Sequence, residues 1–256
     1  MRRIRLVVEY EGTEFCGWQR QANGPSVQAA IEEAVARMTG EKLVVHGAGR
    51  TDAGVHALGQ VAAFSTESTR ISVTRFQRGL NALLPRAIAI AAADEVPLDF
   101  DPRRHAQGKL YRYRIWNAEA RSPHHARTSW HVRRPLDDRA MHEGAQHLLG
   151  EHDFAAFRAA DCERINTVRR VSRLDVTRDG AMVTVEIEAT AFLKNMVRII
   201  TGSLYEVGRR SPDVSGPSWI GEVLSGLDRT RAGRTAPPEG LTLVRVDYAL
   251  PLPVRR

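Results

Sequence analysis

At 256 residues with 43% hydrophobic side chains, the chain can bury a real core as one large domain or two modest ones, which excludes a disordered chain or a small disulfide-stapled scaffold. Cys16 and Cys162 lack metal-ligand spacing and read as reduced thiols, and no apolar run approaches the length of a membrane span. The net charge of +7 and a pI near 10 point to an anionic partner, but 34 of the 37 basic residues are arginine, a skew that genome composition often sets, so their placement matters more than their number.

Met1-Arg2-Arg3-Ile4-Arg5 runs directly into the alternation Ile4, Leu6, Val8, Tyr10. That is a strand face rather than a signal-peptide core, so a cytoplasmic protein is expected. After Pro25-Ser26, Val27, Ala30, Ile31, Ala34, Val35 and Met38 recur at helical spacing. Strands near 43–48 and 57–65, a helix near 72–83 and a strand near 87–96 follow. The Pro- and Arg-containing stretch from Pro97 to Gly108 is the best boundary, giving an N-terminal half, 1–103, and a C-terminal half, 104–256. In the second half Tyr111, Tyr113 and Ile115 alternate with Arg112 and Arg114. A helix near 137–149 precedes a hairpin of strands near 167–177 and 181–190. There Val183, Val185, Ile187 and Ala189 oppose Thr184, Glu186, Glu188 and Thr190, one buried face and one wetter. Helices near 194–209 and 217–226 come before a last strand, 241–249, and Arg255 and Arg256 read as a solvated tail. Each half mixes strands and helices in similar order, an α/β chain built as a split βαβ duplication.

The segment richest in chemistry is residues 47–56, Gly-Ala-Gly-Arg-Thr-Asp-Ala-Gly-Val-His. Three glycines and two alanines let the backbone turn sharply and leave room for a ligand around Arg50, Thr51 and Asp52. A carboxylate that must stay ionised and meet a substrate gains from such a setting, with a guanidinium beside it. Two other readings compete. Leu43, Val44 and Val45 before a Gly-x-Gly could be a strand feeding a dinucleotide-binding turn, but Asp52 occupies the place of the third glycine, and Val55 to Ser65 suits a strand better than a helix. Taken alone, the decapeptide is also compatible with a glycine-rich turn that carries a surface Asp.

Further blocks accompany it. Tyr10-Glu11-Gly12-Thr13 leads to Phe15-Cys16-Gly17-Trp18-Gln19-Arg20-Gln21, and Asp99-Phe100-Asp101-Pro102-Arg103 leads to Gly108-Lys109-Leu110-Tyr111-Arg112-Tyr113. Gly150-Glu151-His152-Asp153-Phe154, Phe192-Leu193-Lys194-Asn195-Met196-Val197-Arg198 and Thr235-Ala236-Pro237-Pro238-Glu239-Gly240-Leu241 follow in order. With the decapeptide, these blocks resemble the tRNA pseudouridine synthase A family from end to end. Ile199, where a polar residue is expected, and Thr242, where an aromatic is expected, are small departures.

The resemblance implies two α/β halves about a pseudo-two-fold axis, with antiparallel-rich sheets forming a central platform, an RNA-binding cleft between the halves, and a homodimer. It makes Asp52 the nucleophile, Tyr111 the ring that stacks on the uracil, and Arg198 the ion-pair partner of Asp52, the last two coming from the second half. Without it, Tyr111 and Tyr113 read as aromatics on a sheet face and Arg198 as a solvated helix residue. The implied reaction isomerises uridine at positions 38, 39 and 40 of the tRNA anticodon arm. It is redox-neutral and expected to need no cofactor and no metal. Arg50 is placed to fill the space of an extruded base or to hold a flanking phosphate, and Arg20, Arg103 and Arg104 are further candidate RNA contacts. Arg112, Arg114, Arg169 and Arg170 fit a solvated face or salt bridges equally well. His56 is expected to serve structure, and His124, His125, His142 and His147 to be surface residues, since no Cys or carboxylate arrangement completes a metal site. Two other classes stay in view: a non-catalytic RNA-binding or RNA-folding protein on the same scaffold and, weakened by the failed glycine pattern, a nucleotide-cofactor oxidoreductase.

Overall fold

The computed structural model describes residues 1–252, so the tail expected at Arg255 and Arg256 lies outside the described residues. The chain forms two units, one of Met1–Gln107 joined by the chain from Leu243 onward, the other of Gly108–Thr242. The break falls within the stretch singled out at 97–108, and the last strand returns to the first unit. Periodicity reveals which faces of a strand are buried and is silent on its neighbours.

The first unit runs β1 (Arg2–Tyr10), α1 (Val27–Thr39), β2 (His46–Gly47), β3 (His56–Thr66), α2 (Val73–Leu83) and β4 (Ile88–Val96). β1 is central, antiparallel to both β3 and β4, and β2 pairs with the far side of β3. The order β4-β1-β3-β2 is that of a split βαβ unit. Both helices are capped as their sequences suggest. Ser26 accepts from the Ala29 amide and Ser72 from the Arg75 amide, each satisfying a first-turn donor with no partner inside the helix, and Gly40 ends α1 at φ 78°. Where a strand was expected near 43–48, the ladder pairs are those of His46 and Gly47, and the Ala48 amide adds a bond to the Val61 carbonyl at 2.8 Å.

β1 is buried on both faces, not one. Ile4, Leu6 and Val8 are covered as the alternation predicts, but Val7 and Arg5 on the other face are covered too. Arg5 escapes the cost of burying a charge because Asp94 grips it through Nε and Nη2, at 2.9 and 2.5 Å, while the Leu250 and Pro251 carbonyls accept from its other donors and the Phe100 ring lies 5.4 Å away.

The second unit contains β5 (Ala106–Asn117), β6 (Trp130–Val132), α3 (Asp138–Gln146), β7 (Gly150–Asp153), β8 (Val168–Asp179), β9 (Met182–Ala189), α4 (Met196–Gly208) and α5 (Trp219–Gly226). β5 pairs antiparallel with β9, β9 with β8 and β8 with β7, while the short β6 adds in parallel to β5. The order β5-β9-β8 is the same first-third-second arrangement as β1-β3-β2, which is the duplication read from the sequence. α3 packs on β8 and against α4 and α5, and Val183, Val185, Ile187 and Ala189 of β9 are buried as their alternation requires. β10 (Leu241–Tyr248) closes the chain beside β3.

Replacing Asp94 with alanine leaves the Arg5 guanidinium without its carboxylate. Because Asp94 is itself partly wetted, the expected loss is about 2 kcal/mol of unfolding free energy, below the 3–5 typical of a wholly buried pair. Urea denaturation of the variant and the parent measures it.

Candidate active site

Asp52 lies on the irregular stretch between β2 and β3, where backbone contacts to residues 12–18 substitute for a strand ladder. The Trp18 amide donates to the Thr51 carbonyl at 3.1 Å and the Gly54 amide to the Phe15 carbonyl at 3.3 Å, while inside the loop the Val55 amide donates to the Asp52 carbonyl at 3.2 Å. Two glycines make this approach feasible. A Cβ on Gly12 would lie 2.0 Å from the Val55 carbonyl oxygen, and one on Gly17, whose φ is +97°, would lie 2.5 Å from the Thr51 carbonyl oxygen. Trp18 is buried beside them, its indole packed so closely on Gly47 that no larger residue fits there without movement.

Side chains complete the mount. The Tyr10 hydroxyl and Thr51 Oγ1 are 2.8 Å apart in a buried hydrogen bond, and Gln60 Nε2 donates to the Gly49 carbonyl at 2.9 Å. Burial pushes the Tyr10 phenol up to about 12, with the hydrogen bonds to Thr51 and Gln60 opposing, so it stays protonated at neutral pH. His56 Nδ1 accepts the Gly12 amide at 2.9 Å, the structural use expected of it. This strand-turn-strand arrangement removes the dinucleotide reading: the chain after the glycines enters β3 and supplies no helix N-terminus for a pyrophosphate.

Beside the loop is a cavity of about 330 Å³ lined by Trp18, Gln19, Gln28, His46, Arg50, Asp101, Arg103 and Arg104, among others. It brings together three of the four arginines proposed from sequence. Arg20 is outside it, its Nε 2.8 Å from Glu32 of α1. Asp101 stands among the cations. Burial works against its charge but is outweighed by the Arg104 and Arg103 amides at Oδ1 and by the charges of Arg104 and His46, so its carboxyl sits below the usual range. A concave surface with three guanidiniums and the glutamine side chains suits a phosphodiester with an attached base.

Tyr111 and Arg198 belong to the second unit. Tyr111, on β5, is buried with its ring edge-on to Phe192, centroids 5.0 Å apart. Arg198 opens α4, where Asn195 precedes the helix at φ 60°, and its Nε donates to the Ala236 carbonyl at 2.7 Å and its Nη1 to Asn195 Oδ1 at 3.0 Å. The adjacent Ile199, odd as a departure from a polar position, is fully buried in the helix core, and Thr242 is half-buried on β10. Arg112 pairs with Glu186 across the β5–β9 ladder, a structural salt bridge. His142 accepts from the Val176 amide and His125 stacks on Trp116 at 4.9 Å, so each has local structural work. Among the described residues no three His, Cys, Asp or Glu side chains cluster as a metal site, both cysteines are half-buried and free of disulfides, and no helix is long and apolar enough to cross a membrane.

Sequence reasoning missed Tyr10, Thr51 and Gln60 as a network, and His46, Gln19 and Gln28 as cavity walls. Gln60 carried a usable signal, being the one polar side chain in the apolar run Val55 to Phe64 apart from His56.

A family model described as tRNA pseudouridine synthase matches residues 6–103 and 145–249. The tRNA pseudouridine synthase A of Geotalea uraniireducens (strain Rf4) is 51% identical over 250 residues, covering 97% of this chain and 100% of that one. The protein of the same name from Myxococcus xanthus is 50% identical over 97% of this chain and 92% of its own. A solved Cbf5-Nop10-Gar1 complex aligns with 96% of this chain and 58% of that one at 14% identity, but its TM-score of 0.36 carries no argument.

The two left-handed glycines at 17 and 40 separate strain from collision. Gly40→Ala, with nothing within 4 Å of the new Cβ, is expected to cost about 1 kcal/mol for the positive φ alone, and Gly17→Ala clearly more, because it also drives a methyl into the Thr51 carbonyl. Chemical denaturation of the pair tests the ranking.

Proposed function

We propose, from the premise that this chain belongs to the tRNA pseudouridine synthase family, that it isomerises uridine to pseudouridine at positions 38, 39 and 40 of the tRNA anticodon stem-loop, with Asp52 as nucleophile. The observation that carries the assignment of Asp52 is its mount: a carboxylate on a turn pinned by backbone bonds to Phe15 and Trp18, two residues from Arg50 in the wall of a cavity of three arginines.

The reaction breaks the bond between C1′ and N1, turns the uracil, and joins C1′ to C5. The C5 proton leaves and N1 ends protonated, so electrons balance without a redox partner, and no step calls for a group-carrying cofactor. A carboxylate answers the need for a group that supplies electrons while the base is detached. Tyr111 has the role of stacking on the uracil and assisting removal of the C5 proton, and Arg198 that of the cation paired with the nucleophile. The target base must leave its stack, at about a few kcal/mol, and Arg50, two residues before Asp52, fills the space it vacates. Arg103 and Arg104 hold flanking phosphates. Arg20, latched to Glu32, contributes less than its place in the sequence suggested. A homodimer working in the cytoplasm completes the reading, the first point carried over from the family resemblance and the second from the sequence.

Purified protein incubated with bulk tRNA is expected to install pseudouridine at 38–40, detectable by nucleotide-resolution mapping, with or without EDTA. Asp52→Asn should abolish the signal while tRNA binding persists, since the substitution removes charge and keeps shape. Turnover of that variant within about tenfold of the parent, a difference of only ~1.4 kcal/mol, removes Asp52 from the role.

The arginines are expected to divide by function. Arg103→Ala and Arg104→Ala should each weaken tRNA binding and flatten the log–log salt dependence by roughly 0.7 to 0.9, with the saturated rate preserved. Arg50→Ala should lower the single-turnover rate more than the affinity, and Arg20→Ala should change both least. Binding titrations at several salt concentrations, run beside single-turnover assays, make the comparison.

A further inference from the structure

Four buried polar side chains of the first unit gather around one segment. Tyr10, Thr51, His56 and Gln60 are 3%, 7%, 4% and 0% exposed, and all four hydrogen-bond to or within residues 47–56 or to the turn that supports them. A phenylalanine at position 10 would fill the same space without burying a hydroxyl, and a leucine at 60 would suit its strand. Each polar atom kept in such a place carries a desolvation cost that its hydrogen bond must offset.

The bonds have specific addresses. The Tyr10 hydroxyl meets the side chain of Thr51, the residue before Asp52, and the Gln60 amide holds the carbonyl of Gly49, the residue before Arg50. The Tyr10 phenol is also hydrogen-bonded to the Gln60 side chain, so both anchors belong to one network. They come from adjacent strands, at the place where the β1–β3 register slips by one residue between the pairs Val8–Gln60 and Tyr10–Ala57. Bulges of this kind gather beside active sites because they re-aim side chains.

We infer that Tyr10 and Gln60 are positioning residues of the isomerisation, which act through Thr51 and Gly49 to hold Arg50 and Asp52 in one presentation to the substrate. The inference rests on the function proposed above and deepens it: neither side chain touches the RNA, and both set the geometry of the groups that do. A displacement near 1 Å at a reacting group costs about a hundredfold in rate, whereas binding spread over many phosphates barely registers it.

The test measures single-turnover rate, tRNA affinity and urea stability for the parent, Asp52→Asn, Tyr10→Phe, Thr51→Val, Thr51→Ser and the double variant Tyr10→Phe/Thr51→Val. Tyr10→Phe and Thr51→Val are each expected to slow turnover by about tenfold or more with affinity within about twofold of the parent. The double variant should be no slower than Tyr10→Phe alone, because the bond that Thr51→Val removes is already lost there. Thr51→Ser, which keeps the hydroxyl, should restore most of the rate. Cooperative unfolding with a midpoint above the assay temperature shows that the variants are folded when assayed.

Tyr10→Phe and Thr51→Val turning over at the parental rate overturn the inference, as do losses in rate matched by equal losses in affinity or additive losses in the double variant. Thr51→Ser as slow as Thr51→Val also overturns it, since methyl packing rather than the hydroxyl would then be at work. If folding fails for Tyr10→Phe, the Thr51 pair decides alone. A parent without pseudouridine formation overturns the functional reading and this inference together. An active parent with inert Asp52→Asn leaves that reading standing whatever Tyr10→Phe does.

Discussion

Backbone approaching backbone with no Cβ between is the constraint on which the candidate site depends. Past Ala48, whose amide still bonds the Val61 carbonyl of β3, the loop bearing Asp52 is held by the turn at 12–18, and that turn reaches it only because glycines stand at the two points of closest approach. Much else follows from this docking. Trp18 can seat on Gly47, His56 can accept from Gly12, and Tyr10 arrives at the end of its strand under Thr51. The opening block and the glycine-rich decapeptide are therefore two halves of one device, separated in the chain and joined in space.

Arginine serves opposite purposes within one unit. Arg5 is wholly enclosed, its donors consumed by Asp94 and two carbonyls, and it behaves as a polar core residue. Arg50, Arg103 and Arg104 line an open cavity with a single carboxylate, Asp101, held ionised among them. A guanidinium already saturated by protein acceptors has little left for a phosphate, whereas one facing a concavity keeps its donors for a ligand. Net charge counts the two kinds alike. For that reason a pI near 10 said less than the location of three side chains.

What the sequence disclosed, and what it withheld, divides along the same physical line. Helices α1 and α2 and the hairpin of β8 and β9 were legible because their periodicities and caps are local, and Ser26 and Ser72 do what isolated helix starts require. The extent of β2 was not, since of Leu43 to Val45 only Val45 is buried, Val44 is exposed and none of the three pairs in the ladder, and the short β6 and β7 owe their state to neighbours that offer a ladder. Arg5 looked like the wet face of a half-buried strand and is dry on both sides. In the site, the composition of the decapeptide drew the eye to Asp52, but the role expected of it came from the resemblance that the other blocks carry. The anchors Tyr10 and Gln60 did not announce themselves, because a tyrosine ending a strand and a glutamine inside one acquire meaning only when the third dimension puts Thr51 and Gly49 within reach.

The enclosure of Arg5 also bears on how the chain is made. The carbonyls of Leu250 and Pro251 that help neutralise it lie 245 and 246 residues further along. On the ribosome the first hundred residues emerge long before those acceptors exist, so the nascent N-terminal unit carries a guanidinium aimed at an incomplete lining and a sheet still lacking β10 beside β3. Final consolidation of the unit bearing Asp52 waits for the unit without it to be translated. The earliest strand of the chain thus gains the last of its hydrogen-bond acceptors from some of the latest residues.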